Sequence, residues 1–262
     1  MSYLQYSLSK EIKAFSTSRT GGISEGMYAS FNCTHYCGDN PMHVVANREK
    51  LCLDWRIHPS RLFIPRQVHD VRMEVVDEQF LTLSPTEQSA RLDGVDALIS
   101  PLPDCCLAIS TADCVPILLY DTRARVIAAV HAGWRGTVAR ILTQVLNQMT
   151  LLYGTEGKNV KAVIGPSISL QAFEVGDEVY EQFFSADFPM GQIAVRQEKW
   201  HIDLWEANRL QLLEKGVPAE TIHVTGICTF NNSERFFSAR KLGIKSGRIL
   251  NAIMRADVNV EY

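Results

Sequence analysis

Three short segments carry residues whose combination could hold a metal ion: His69 in RQVHD, Cys114 in TADCVPILLYD and His131 in VIAAVHAGWRGT. Each stands at the edge of an apolar run, where a strand end presents a side chain to a cleft while the buried strand holds it still. Two imidazoles and one thiolate suit zinc, which favours nitrogen and sulfur donors, and three protein ligands in a tetrahedral site leave one position for water or substrate. The competing reading of Cys114 is a small apolar core residue, since free cysteines are among the most buried residue types.

The segment after His131 adds a second kind of chemistry. A strand over Arg125 to Val130 runs into a glycine-bracketed loop and then a helix, because Val138, Ile141, Leu142, Val145, Leu146 and Met149 recur at three- and four-residue steps. Thr137 is expected to cap its first turn. Unpaired N–H groups at a helix start favour an oxyanion, and Arg135 offers a planar fork suited to phosphate or carboxylate. Alternatively, Gly133 and Gly136 only let the chain turn.

A rival Cys/His cluster lies in FNCTHYCGD, where Cys33, His35 and Cys37 would share one face of a strand, with His43 further on. Period-two spacing sets such groups roughly 7 Å apart, wide for neighbouring ligands of one ion, so a structural role is favoured, with His35 facing the pocket. Asp113 could reach the N–H of a ligand histidine or act on a substrate proton; its plainer role is a turn aspartate satisfied by backbone N–H groups. Arg19 in SRTGGIS and Arg240 in FFSAR could clamp an anionic or polar substrate.

The elements that must position these groups read as follows. Strand candidates are Tyr3 to Leu8, Lys13 to Thr17, Met73 to Val76, Ala97 to Ser100, Leu107 to Thr111, PILLYD, Val160 to Ile164 and Ile222 to Val224. Helices are expected around Met42 to Leu53, Gly176 to Phe184 and Leu204 to Lys215, with a short C-terminal helix after Gly247. Neighbouring strands mixed with helices predict an α+β fold, a single layered domain over residues 1–262 with mixed sheets covered by helices. The formal net charge of −3 gives no electrostatic reason for a nucleic-acid or anionic-membrane partner. No stretch approaches a membrane span, and MSYLQYSLSKEIKAFSTS lacks a signal-peptide pattern. Seven cysteines without a disulfide rhythm fit a reducing compartment, so a cytoplasmic location is expected.

The motifs SRTGGIS, FNCTHYCGDNP, QVHD, DGVDALIS, TADCVPILLYD, AAVHAGWRGT, IGPSIS, FEVGDEV, CTF and FFSAR, in this order over nearly the full length, resemble the bacterial YfiH family of laccase-domain or polyphenol oxidase proteins. The resemblance implies a fold related to the catalytic domain of cytotoxic necrotizing factor. It also implies a zinc enzyme of purine nucleosides: phosphorolysis of adenosine, inosine, guanosine and methylthioadenosine, and deamination of adenosine. By the same resemblance the Zn2+ ligands are His69, Cys114 and His131, Arg240 lies near the substrate, and Arg19, Asn32 and His35 border the cleft. Asp113 or His35 would carry the proton, and the helix start at Thr137, Arg135 or Arg240 would hold phosphate. The chain departs from the family pattern at Asp70, where glycine commonly follows the histidine, and in FFSARKLGIKSGR, where Ala239 replaces an aromatic that would border the base. The competing functions are a cysteine hydrolase of an amide such as a cell-wall precursor with Cys114 as nucleophile, a copper-dependent phenol oxidase, and a non-enzymatic binding module. Copper is disfavoured because the chain has seven histidines and no His-x-His pair.

Overall fold

Two runs of seven buried residues, β7 (Val115–Asp121) and β8 (Val126–Ala132), pair antiparallel as a hairpin at the centre of the molecule. The Asp121 carboxylate accepts from the N–H groups of Arg123 and Ala124, and Arg125 takes a left-handed φ of 57°, which together reverse the chain. The computed structural model describes residues 3–256.

The hairpin belongs to a six-stranded mixed sheet. Its order is β13 (Ile222–Val224), β9 (Val160–Ile164), β7, β8, β5 (Ala97–Ser100) and β4 (Met73–Val75). A five-stranded mixed sheet runs β1 (Tyr3–Tyr6), β2 (Ile12–Thr17), β14 (Ile249–Arg255), β6 (Cys106–Thr111) and β3 (Leu62–Phe63). A small third sheet joins β10 (Glu174–Val175), β12 (Trp200–Ile202) and β11 (Ala194–Arg196).

The two large sheets pack face to face. Leu107, Ile109 and Ile253 of one meet Leu98, Leu118, Ile127 and Ala129 of the other. Alternate residues of the hairpin, Val115, Ile117, Leu119, Ala128 and Val130, point the other way onto the helices Ile141–Tyr153 and Leu204–Glu214. On the outer face of the five-stranded sheet, Phe15, Ala108 and Ala252 pack against Leu51 and Cys52 of the helix Pro41–Trp55. Helix, sheet, sheet, helix is the resulting layering, an α+β fold with mixed sheets covered by helices. Strands covered on both faces lose the alternation of polar and apolar residues, which is why β7 and β8 read as continuous apolar runs. No helix of the described residues is long and apolar enough to cross a membrane.

Three local expectations are corrected. The segment after Gly247 is no helix: Ile249–Arg255 is a buried strand between β2 and β6, and a run buried on both faces carries no period to separate strand from helix. The helix expected from Thr137 is two helices, Trp134–Val138 and Ile141–Tyr153, separated where Arg140 adopts φ 59°. Thr137 therefore caps nothing; Gly133 is the N-cap, and the Thr137 hydroxyl accepts from Asn208 instead. Finally, FNCTHYCGD forms turns rather than a strand.

Candidate metal centre and cavity

Antiparallel pairing delivers the site residues to one end of the two-sheet sandwich. β6 ends at Thr111, β7 begins at Val115 directly after Cys114, and His131 is the penultimate residue of β8. Because Ala97 of β5 pairs with Val130, Asp96 falls opposite His131, whose N–H donates to the Asp96 carbonyl at 2.8 Å.

The ligand atoms of His69, Cys114 and His131 all lie within 4.8 Å of one another. His69 is exposed, Cys114 half-buried and His131 buried, so one side of the group opens outwards. The imidazole rings of His69 and His131 stand edge to face, with centroids 4.8 Å apart.

Asp96 organises both histidines, and nothing in its sequence context marked it beyond an acidic residue ahead of an apolar strand. Its Oδ1 accepts from His131 Nδ1 at 2.7 Å and from the His69 N–H at 3.0 Å. Its Oδ2 accepts from the N–H groups of Asp70 at 3.0 Å and Val68 at 3.2 Å. Burial raises the Asp96 carboxyl, but the His131 imidazole and these amides outweigh it and hold the group below the usual aspartate range. An ionised carboxylate can only accept, so Nδ1 of His131 keeps its proton and Nε2 is the nitrogen that would give up a proton to bind a metal. The same contacts explain why the loop around His69 keeps its shape although His69 itself takes a left-handed φ of 65°. Gln67 adds to this by pairing with Ser110, accepting from its N–H at 2.7 Å and donating to its carbonyl at 2.8 Å.

Burial pushes the Cys114 thiol up, and the facing imidazoles of His131 and His69 more than offset it, bringing the group down to about 6. Burial pulls His131 down, yet the Cys114 sulfur and the Asp96 carboxylate hold the imidazole up at about 9. A thiolate and two ring nitrogens converging on one point, with a carboxylate behind one of them, form a donor set that fits a divalent transition metal.

Gly133 gives these ligands room. Its backbone, φ −64° and ψ 167°, is open to any residue, so glycine is not there for the turn. A Cβ at this position would stand 3.0 Å from Cδ2 of His69 and 3.2 Å from Sγ of Cys114. Gly133→Ala is expected to keep the fold, at a cost of about 1 kcal/mol, and to weaken binding of a metal such as zinc by this group about tenfold by displacing His69 and Cys114. Competition against a chromogenic chelator measures this; an affinity equal to that of the unsubstituted protein would show that the ligands do not need the space.

The trio lines a cavity of about 570 Å³ together with Tyr36, Gln67, Ser110, Ala112, Asp113, Trp134, Ile168, Phe173, Ala239, Arg240, Ile244 and Arg248. A family model described as multi-copper polyphenol oxidoreductase laccase matches residues 13–256. The chain belongs to this laccase family. A purine nucleoside phosphorylase of Bacteroides thetaiotaomicron is 50% identical over 257 residues, which cover 97% of this chain and 95% of that one. Adenosine deaminase RL5, of an unknown prokaryotic organism, is 42% identical over 93% of this chain and 94% of its own length. Among solved structures, YlmD from Geobacillus stearothermophilus superposes with a TM-score of 0.91 at 29% identity, covering 98% of this chain and 97% of that one.

The laccase-family motifs converge on Asp113 as well as on the trio. Its Oδ1 accepts from the Thr229 hydroxyl in CTF at 2.7 Å, its Oδ2 from the Arg240 N–H in FFSAR at 2.7 Å, and its carbonyl from the Ile168 N–H in IGPSIS at 2.9 Å. Asp113 thus ties three loops together and does not reach a ligand histidine; Asp96 holds that place. The Arg240 guanidinium lies over the Phe173 ring, 5.5 Å from its centroid, and donates to the Glu174 carbonyl at 3.1 Å.

Four other residues singled out from the sequence do not line this cavity. His35 is exposed beside Arg48, with Nδ1 2.9 Å from its Nη2, and lines a separate depression with Arg66 and Asp93. Burial and the Arg48 charge pull His35 down. The expectation that His35 faces the pocket is corrected: without a strand there, its side chain is free to turn towards the helix Pro41–Trp55. Arg19 is pinned by the carbonyls of Ala29 and Ser233, and Asn32 is buried within its own loop. Arg135 lies over the Trp134 ring at 4.3 Å. Asp70, where the family commonly has glycine, is not among the residues with positive φ, so this backbone position does not require glycine.

Proposed function

We propose that the chain is a zinc-dependent purine nucleoside phosphorylase with adenosine deaminase activity, working in the cytoplasm on nucleosides and inorganic phosphate. The observation that carries the reading is the His69, Cys114 and His131 group in the wall of a cavity of about 570 Å³, large enough for a nucleoside. The names of the two relatives above agree with it.

The donor set favours zinc over copper. One such group is found among the described residues, whereas a multicopper oxidase needs several centres. Zinc held by the trio supplies Lewis acidity to an oxygen nucleophile or carbonyl at neutral pH.

The remaining roles belong to the protein. Phosphorolysis joins a phosphate oxygen to C1′ of ribose and breaks the bond from C1′ to the purine nitrogen; the base leaves with the bonding pair and takes up a proton. Deamination adds water at C6 of adenine and releases ammonia. Asp113, the carboxylate lining the cavity, is assigned the proton-handling role, and its grip on the Arg240 N–H sets Arg240 beside the substrate. Ile168, Phe173, Trp134 and Ile244 give the cavity an apolar wall for the base, and Ala239 widens it where relatives of the expected pattern carry an aromatic.

Incubation with adenosine, with and without inorganic phosphate, is expected to yield adenine only when phosphate is present and inosine in either case. Neither product, with oxidation of a phenol or cleavage of an amide in their place, would overturn the reading.

A further inference from the structure

Phosphorolysis needs an anionic second substrate, inorganic phosphate. Two arginines, Arg240 and Arg248, line the cavity. Arg248 is half-buried, and no carboxylate partner is found for it among the described residues.

Some of the chain's other arginines meet a carboxylate, while others, such as Arg19 and Arg72, donate to backbone carbonyls. Arg66, Arg91 and Arg209 each place Nε and Nη2 on the two oxygens of one carboxylate, those of Asp93, Glu74 and Glu206. Arg248 differs. Its Nη1 donates to the carbonyls of Ser246 at 2.7 Å and Gly247 at 3.0 Å, and its Nη2 to the carbonyl of Ile244 at 2.9 Å. Three of its five N–H groups are thereby committed, and Nε–H and one Nη2–H remain without a protein partner among the described residues.

The group is also fixed in place. The Arg248 N–H donates to Asn32 Oδ1 at 3.1 Å, the Gly247 N–H donates to the Met27 carbonyl at 3.2 Å, and Gly247 lies so close to the Phe237 ring that no Cβ fits. A rigid, partly desolvated cation with an open fork and no counter-ion is arranged for a bidentate oxyanion.

We propose that Arg248 anchors a phosphoryl dianion in the cavity, two of its oxygens on the open fork. This rests on the nucleoside reading above for the source of the phosphoryl group: inorganic phosphate as co-substrate, or the 5′-phosphate of a nucleotide.

The test compares Arg248→Met, which removes the charge, with Arg248→Lys, which keeps the charge and loses the fork. For Arg248→Met the KM for inorganic phosphate is expected to rise at least 30-fold, and the ratio of phosphorolysis to deamination to fall at least tenfold; Arg248→Lys should lie between. If AMP is the better substrate and the variants raise its KM instead, the proposal stands with the 5′-phosphate as the source. Both reactions falling by the same factor in both variants would make Arg248 merely structural and overturn it. If the unsubstituted protein performs neither reaction, the nucleoside reading fails by itself. Calorimetric binding of inorganic phosphate then decides the proposal separately: at least tenfold weaker binding by Arg248→Met supports it, and equal binding overturns it.

Discussion

Cys114→Ala is expected to lose bound zinc and nucleoside turnover together, with phosphorolysis falling at least about 1,000-fold, equivalent to about 4 kcal/mol of transition-state stabilisation. Cys114 contributes the one anionic ligand of the trio, and its sulfur is the group against which both imidazoles are set. Removing it leaves two neutral nitrogens, too few to hold a divalent ion against a buffer. The fold should survive, because β7 is paired with β8 from Val115 and with β9 from Ile117 onwards, independently of the sulfur. The melting temperature in the presence of chelator should therefore be close to that of the parent protein under the same conditions. Full phosphorolysis by the variant would remove the metal from the reaction. Zinc retained by Cys114→Ala with turnover lost would instead favour the cysteine-nucleophile alternative.

Asp96→Asn is expected to have the next largest effect, although Asp96 does not line the cavity and reaches the metal site only through His131 and the loop of His69. Four donors converge on its two carboxylate oxygens: His131 Nδ1 and the N–H groups of Val68, His69 and Asp70. An asparagine offers one oxygen and places an NH2 where the other stood, so donors face donors and at least one buried N–H loses its acceptor at about 1–3 kcal/mol. The ring of His131 loses the partner that fixes its tautomer, and the loop carrying His69 loses its anchor. Zinc affinity should fall by about 10- to 100-fold, the usual consequence of removing a carboxylate behind a ligand histidine. Competition with a chelator of known affinity measures the loss, and activity should return at high zinc because the ligands themselves remain. An affinity within twofold of the parent would show that Asp96 serves the loop and not the metal site.

The contrast between Cys114 and Asp96 shows how far the sequence could be read. Motifs singled out His69, Cys114 and His131, which the fold brings together, since a ligand must be a particular residue type next to an apolar run. Asp96 sits in the quoted segment DGVDALIS among other acidic residues, and its role depends on β5 pairing with β8, a register that no local pattern encodes. Its partner carboxylate role was expected at Asp113, which the strand order turns instead towards Thr229 and Arg240. Strands bounded by clear turns, such as Ala97–Ser100 and Val160–Ile164, were legible to the residue. The strand Ile249–Arg255 was not, because both of its faces are covered and the hydrophobic period that separates helix from strand is erased. The break at Arg140 was hidden for a different reason: Val138 and Ile141 keep helical spacing across it, and only the backbone angle at Arg140 interrupts the helix. Arg248 escaped notice because an arginine after Gly247 is unexceptional until its donors are counted.

Turnover of a nucleoside is expected to require one metal ion held by His69, Cys114 and His131. Titrating zinc into chelator-stripped protein while following adenine release from adenosine and phosphate tests it most directly. No adenine is expected before zinc is added, and then a linear rise that stops at one zinc per chain. Full activity in the stripped protein, or a rise that needs several copper ions per chain and none of zinc, would contradict it.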